Sequence, residues 1–288
     1  MDKKLSVAHA RFPWLGGRRA TVRDWRRFGH KVRMRGCDLL RELPAFCNAV
    51  LISGCQRSGG TILARIISSS EGMVRFAAGE DEELAAAEIL AGVRPTTAPG
   101  RYCFQTTYLN ECYGEYLHYA GGYRLIWLVR NPYSVVYSML RNWSRFALDE
   151  LFAACGAPLL DPKPRARYRR FGGIAVSRLD KACLSYVGKQ RQVIELAPRL
   201  GDALHVIDYD ALVGAPDRTL TEIYDFIGLN YRSSYADALS RRSLAKAAAL
   251  SPAVRARVEQ LCMPAYSETT ALARQAGTER TGQRRAAG

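Results

Sequence analysis

The segment Ala49-Val-Leu-Ile-Ser-Gly-Cys-Gln-Arg-Ser-Gly-Gly-Thr61 runs straight into Ile62, Leu63, Ile66 and Ile67. Residues 49–53 form a short apolar run with the length and β-branched content of a buried strand. After Thr61 the apolar positions recur every three or four residues, the period of a helix. Between the two, Gly54, Gly59 and Gly60 let the backbone turn tightly. The N–H groups of the loop and of the helix N-terminus then converge on one point, which suits an anion. Ser58 and Thr61 add hydroxyl donors, and Arg57 adds a cation.

Outward from this unit the same alternation continues. Tyr123–Val129 is the clearest core strand. It ends at Arg130-Asn-Pro132, where proline suits the first turn of a helix. Val135, Val136, Met139 and Leu140 then keep a helical period. Arg101–Gln105 and Leu204–Asp208 read as further strands. The acidic cluster 79-GEDEE-83 opens a helix to Ala91, Ile174–Leu196 reads as a long helix, and Leu220, Ile223, Phe226 and Ile227 mark another. Strands alternating with helices predict an α/β fold: three layers, with a central, mostly parallel sheet flanked by helices. The apolar positions among the arginines of 12–44 predict one or two amphipathic helices, 156–173 an exposed connection, and the last 15 residues a frayed tail. The organisation expected is an N-terminal basic helical arm (1–48) packing on an α/β core (49–230), with a C-terminal helical extension and basic tail (231–288).

Composition narrows the class. The chain has 288 residues, of which 48% are apolar and 24% charged. Those values exclude collagen-like, disordered and coiled-coil chains. No apolar run reaches the ~18 residues of a membrane span, and Met1–Arg11 holds no apolar core of a secretory signal. The eight cysteines lack CxxC pairs, fitting neither a zinc site nor a disulfide framework. A cytoplasmic setting and no metal are therefore expected. Net charge is +15, concentrated in two blocks: 1–50 carries twelve basic and four acidic residues, and 163–191 nine basic residues and one acid. Two basic blocks on a neutral body point to an anionic ligand.

The loop 54-GCQRSGGT-61 has the G-x-x-x-x-G-K-[ST] spacing of a Walker A loop, with Gly60 where the lysine belongs. A standard NTPase needs that lysine at the β/γ-phosphates. The loop instead resembles the 5′-phosphosulfate loop of the sulfotransferases, G-x-P-R-S-G-T-T after a strand, departing from it at Gln56 and Gly60. A second motif agrees. That family's 3′-phosphate site uses an arginine at a strand end and a serine eight residues on, and 125-LIWLVRNPYSVVYSMLR-141 places Arg130 and Ser138 at that spacing. A third stretch, 204-LHVIDYDALVGAPDRTLTEIYDFIGL-229, is similar to the family's late strand–helix segment, with Tyr209 and Asp210 at its Tyr-Glu positions. The resemblance covers roughly 49–229. The family's C-terminal Arg-Lys-Gly-x-x-Gly signature is absent, which leaves basic residues of 163–191 as candidates for further 3′-phosphate contacts.

The resemblance implies a P-loop-like fold and transfer of a sulfuryl group from 3′-phosphoadenosine 5′-phosphosulfate (PAPS) to a hydroxyl or amine, releasing adenosine 3′,5′-bisphosphate without a metal. It casts Arg57 as stabiliser of the transferring group. It gives the donor site to Arg57, Ser58, Gly59, Gly60, Thr61, Ile62, Arg130, Ser138 and Tyr209. Many members use a histidine base on the strand after the first helix, and in 103-CFQTTYLN-110 Thr107 stands there. Protein-tyrosine sulfotransferases use a glutamate of a Gly-Glu-Glu, which makes Glu80 the leading base candidate, Asp81 the second and His118 an outside one.

Two other readings stay on the table. A P-loop nucleotide kinase or NTPase would use Asp208, at the end of an apolar strand, for Mg²⁺. A nucleic-acid-binding protein would account for the charge, but no recognised module is visible, so nucleic acid is not an expected partner. The acceptor is a small molecule, glycan, lipid or peptide. Tyr108, Tyr113, Tyr116, Trp143 and Phe146 are candidate pocket aromatics, and a homodimer is one arrangement the sequence allows.

Overall fold

The computed structural model describes residues 19–36, 38–77, 79–96, 98–240 and 247–287. Four parallel strands form one sheet: β1 (Ala49–Gly54), β2 (Cys103–Gln105), β3 (Tyr123–Val129) and β4 (Leu204–Asp208), in the order β2-β1-β3-β4. The registers Leu51↔Leu125 and Leu125↔Leu204 align one row of apolar side chains across the three longer strands. The next residues, Ile52, Ile126 and His205, align on the opposite face. Both faces are covered, as a parallel sheet requires.

The helices are α1 (Val22–Arg35), α2 (Gly60–Ser68), α3 (Glu82–Leu90), α4 (Pro132–Asn142), α5 (Arg145–Leu151), α6 (Pro162–Phe171), α7 (Arg178–Leu200), α8 (Tyr209–Gly214), α9 (Pro216–Ile227) and α10 (Pro252–Ala287). On one face of the sheet, Leu51, Leu125, Trp127 and Phe104 pack with Ile89 of α3 and with Val193 and Leu196 of α7. On the other, Val50, Ile52, Ile126 and Leu128 pack with Leu63 and Ile67 of α2 and with Leu220 and Ile223 of α9. A further cluster joins Val135 and Met139 of α4, Cys183 and Tyr186 of α7, and Cys262 of α10. The three-layer α/β architecture is as expected.

Three local readings change. The proline- and arginine-rich stretch 156–173 contains α6. It starts with Pro162 at its first turn, and Tyr168 packs on Phe152 with ring centroids 5.2 Å apart. The tail expected to fray is helical through Ala287. The amphipathic pattern of 12–44 becomes α1 from Val22, closed by a Thr21–Asp24 capping box, while 12–18 lie outside the described residues. Among the described residues, no helix is long and apolar enough to cross a membrane.

Helix α7 runs against residues 152–156, where Gly188 meets the Cys155 backbone so closely that a Cβ would overlap the Cys155 carbonyl. Backbone cannot step aside as a side-chain tip can. Gly188→Ala should therefore lose roughly 1–3 kcal/mol of unfolding free energy or more, read from the midpoint of chemical denaturation. A wild-type midpoint would show that this helix crossing yields.

Candidate functional site

From β1 the chain crosses to β2 on one side and later to β3 on the other, so the strand order reverses between β1 and β3. In open α/β sheets ligands bind in the crevice beyond the carboxyl ends of the strands at such a point. The loop 55–59 leaves β1 here and Arg130 leaves β3 beside it. Within the loop the Ser58 N–H donates to the Cys55 carbonyl (3.1 Å), Arg57 adopts φ +74°, and Gly59 adopts φ +97°. A Cβ at Gly59 would lie inside the Tyr209 ring, so only glycine lets the loop rest on that face. Helix α2 begins at Gly60. Its first N–H groups, on Gly60, Thr61 and Ile62, precede the first intrahelical bond and face outward for a ligand.

Two arginines and a serine gather around this loop. Arg57 Nε donates to Ser138 Oγ (2.9 Å), and Arg130 Nη1 donates to the Arg57 carbonyl (3.0 Å). Arg130 is buried, its guanidinium lies 4.8 Å from the Tyr209 ring centre, and its Nε is 3.7 Å from Asp210 Oδ1. Tyr186 and Asp210 hold its neighbourhood: the Tyr186 hydroxyl donates to the Arg130 carbonyl (2.9 Å), and the Asn131 N–H donates to Asp210 Oδ2 (3.2 Å). Desolvation holds both guanidinium groups below their ordinary pKa, and for Arg57 the like charges of Arg19 and Arg130 add to it. An anion placed here would relieve that repulsion. The Ser58 hydroxyl is buried without a hydrogen-bond partner among the described residues. The sequence suggested separate 5′ and 3′ clusters, whereas the structure joins Arg57, Arg130 and Ser138 in one.

The acidic residues sort differently from expectation. Glu80 is exposed and paired with Arg94 (2.5 Å), and it does not line the cleft. Asp81 is occupied at both oxygens: it caps α3 by accepting from Leu84 N (3.0 Å) and accepts from Ala20 N (2.8 Å). Glu82 pairs with Arg65 (2.9 Å). Glu83 lines the cleft together with Asp81 and Glu82. It accepts from the Thr107 hydroxyl and from Gln105 Nε2 (3.0 Å), and desolvation pushes its pKa up to about 7. His118 is exposed, stacks edge-on against Tyr119, and is not part of the lining.

Sequence reasoning placed Thr107 but missed Glu83. The available signal was that an aspartate at a helix N-cap spends its carboxylate on the backbone, leaving the next acids of the cluster for other work.

Of the two departures from the sulfotransferase loop pattern, Gln56 acquires a reason and Gly60 does not, since a Cβ at 60 would make only ordinary contacts. Gln56, in place of proline, donates to the Thr107 carbonyl (2.8 Å) and to Asn110 Oδ1 (3.0 Å), tying the loop to 107–110. Gly60 faces Thr107 and Gln105, where a Cβ would lie 3.4 Å from the Thr107 methyl. From below, Lys189 and Gln192 of α7 donate to the carbonyls of Leu109 (3.1 Å) and Asn110 (2.7 Å).

The whole arrangement opens into a cleft of about 1120 Å³. Its walls include Arg57, Gly59, Gly60, Thr61, Ile62, Arg130, Ser138 and Tyr209, together with Tyr108 and Trp143. Tyr116 is instead core, and Tyr113 donates to Glu195 away from the cleft. The Phe146 side chain lies outside the described residues. No residue of the block 163–191 is among the residues that line the cleft. Its Lys181 pairs with Asp149 (2.5 Å) and its Lys189 is fully buried. Asp208 caps α8 through Asp210 N (2.8 Å) and is also absent from the walls. Among the described residues no group of three or more His, Cys, Asp or Glu side chains is arranged to hold a metal ion.

No protein-family model matches the sequence, and no curated protein matches it. Solved structures similar to this chain include sulfotransferases. One from Alicyclobacillus acidocaldarius is 15% identical, with 79% of this chain and 96% of that chain covered and a TM-score of 0.47. The sulfotransferase domain from the curacin biosynthetic pathway is 16% identical over 72% of this chain and 83% of that one, at a TM-score of 0.46. A mouse sulfotransferase complexed with PAP is 16% identical over 77% and 87%, at 0.44.

Proposed function

We propose that the chain is a PAPS-dependent sulfotransferase acting on a hydroxyl or amine. One observation carries the reading: Arg57, Arg130, Ser138 and the bare N-terminus of α2 converge at the β1/β3 switch point, with glycine where an NTPase needs lysine. The residues fit such a donor. Backbone N–H groups at 60–62 and the hydroxyls of Ser58 and Thr61 would hold the 5′-phosphosulfate end. Arg130 and Ser138 would hold the 3′-phosphate, with Arg130 fixed in place by the Tyr209 face and Asp210. Arg57, standing between the two ends, would meet the charge that grows on the leaving phosphate.

The donor supplies an activated sulfuryl group on a phosphate leaving group. Transfer breaks the sulfur–oxygen bond to the 5′-phosphate, whose oxygen keeps the electron pair, and makes a bond from the acceptor atom to sulfur. Glu83 takes the acceptor's proton, replacing Glu80 and Asp81 in that role, because it is the lining acid of the cluster that carries neither a cation nor a helix cap, only the neutral donors Thr107 and Gln105. Thr107 and Gln105 orient that carboxylate by donating to it. The kinase or NTPase reading gains nothing, since Asp208 is occupied as a helix cap.

Three measurements test this. Calorimetric titration should give micromolar, Mg²⁺-independent binding of adenosine 3′,5′-bisphosphate, weakened tenfold to a hundredfold by Arg130→Ala through loss of charged hydrogen bonds. Preference for Mg·ATP would favour the NTPase instead. Arg57→Ala should cut turnover about 10²–10³-fold, and wild-type rates would remove Arg57 from the mechanism.

Glu83 works as a base only when ionised, so kcat/KM should rise with pH through a limb near 7. Thr107→Val, which deletes a donor favouring the ionised form, should move that limb upward, and Glu83→Gln should lower the rate about 10²–10⁴-fold. Because burial raises this carboxyl's pKa in the folded state, its ionisation costs stability progressively as pH climbs from 4.5 through 7. Glu83→Gln should accordingly be more resistant to denaturant than wild type at pH 8, with the gain fading at pH 4.

A further inference from the structure

One wall of the cleft comes from outside the α/β core. Val22, Trp25, Arg26, Gly29 and Arg33 of α1 line it. Spacings of three, four and seven place them on one face of the helix. That face is aromatic at its centre: Trp25 lies 5.5 Å from the Tyr108 ring and 5.9 Å from Phe28, and Phe28 packs on Ala87 of α3 and on Ala91 just past its end. Across the opening stand Trp143 and, on α5, Ala147 and Leu151. The helix is rich in arginine, but only Arg26 and Arg33, two turns apart, face inward. Arg23, Arg27 and Arg35 do not line the cleft. Asp24 takes part in the capping box, and Glu150, another lining residue, is close enough to Arg26 to feel its charge.

The end of the cleft near Glu83 is polar in a different way. Gln105 Oε1, Gln56 Oε1 and the Tyr108 hydroxyl are buried, belong to lining residues and have no hydrogen-bond partner among the described residues. Buried polar atoms are costly to leave unpaired, so a ligand that supplies partners there gains accordingly. The volume, the aromatic walls and a few convergent polar groups are those of a small-molecule site.

We propose that the acceptor is a flat aryl compound bearing both the hydroxyl that receives the sulfuryl group and a separate anionic group. The ring lies against Trp25, Tyr108 and Trp143, the hydroxyl donates its one proton to Glu83, and the anion reaches Arg33 and Arg26 at the outer end. Helix α1 is thus the specificity element, and Asp81, by accepting from Ala20 N, clips the start of that segment to α3. The inference rests on the sulfotransferase reading for the transfer step, but not for the binding of the ring and its anion.

The test uses 6-hydroxy-2-naphthoate and neutral 2-naphthol on the purified full chain, first by calorimetric binding without donor, then as acceptors with PAPS. The naphthoate should bind at least tenfold more tightly than the naphthol. Arg26→Ala/Arg33→Ala should bring that ratio close to one, and Trp25→Ala should weaken both probes. Arg27→Ala, on the same helix but outside the cleft, keeps the wild-type ratio. A preference for the neutral probe, or a ratio unmoved in the double variant, overturns the proposal. Arg33-dependent naphthoate binding in a protein that fails to bind adenosine 3′,5′-bisphosphate would support the aryl-anion site and overturn the donor reading alone.

Discussion

Everything in the cleft depends on β1 and β3 being hydrogen-bonded neighbours. Their register, from Ala49↔Tyr123 to Gly54↔Leu128, ends both strands at the same level. The glycine loop and Arg130 are 73 residues apart in sequence, yet the arginine reaches the loop's own carbonyl at 3.0 Å. Two apolar rows, Leu51 with Leu125 on one face and Ile52 with Ile126 on the other, are buried completely and interlock with the helices on both sides. A one-residue slip would put side chains of different shape against both layers and take the two strand ends off level. Placement of two cations side by side, unfavourable in itself, is thereby held by the burial of a sheet.

The same economy appears one layer below. Polar groups of α7 are buried where a core helix would carry only apolar side chains, and their partners explain why. Lys189 and Gln192 meet the backbone carbonyls of Leu109 and Asn110, and Tyr186 meets that of Arg130. These are carbonyls of chain that has just left β2 and β3, beyond the reach of the sheet ladder. A buried carbonyl needs a donor, and α7 provides three. Gln56 completes the scaffold from the loop side. The donor-facing and acceptor-facing parts of the cleft are tied through this one set of bonds.

Much of this was legible in the sequence, and the parts that were not have physical reasons. Strands β1, β3 and β4 are apolar runs ended by turn or cap residues, so their existence and limits follow from pattern alone. The gathering of Arg57, Gly59, Thr61, Arg130, Ser138 and Tyr209 followed from motif spacing, although not the direct bond between Arg57 and Ser138. Helix α6 was hidden because its ten residues carry five basic side chains and no buried position, leaving no periodicity to read. Glu83 was hidden because four consecutive acids look alike until the helix start is known. Once Asp81 is the cap, Glu83 falls on the inner side, opposite Gln105 and Thr107. The basic block 163–191 was read as a source of phosphate contacts, since composition cannot tell a lysine that faces a ligand from one paired beneath a helix, as Lys181 is.

Helix α3 and the turn after it make contact with two things at once. At its start Asp81 grips Ala20, Ala87 along its side and Ala91 just past its end seat Phe28, and the Gly92 carbonyl next to it accepts from Arg35. Its first turn also bears Glu83. The aromatic wall and the carboxylate therefore ride on a single rigid beam. On the sulfotransferase reading, anything that shifts the wall also shifts the carboxylate, so the fit of an acceptor would be expressed in the speed of proton removal as much as in how tightly it is held.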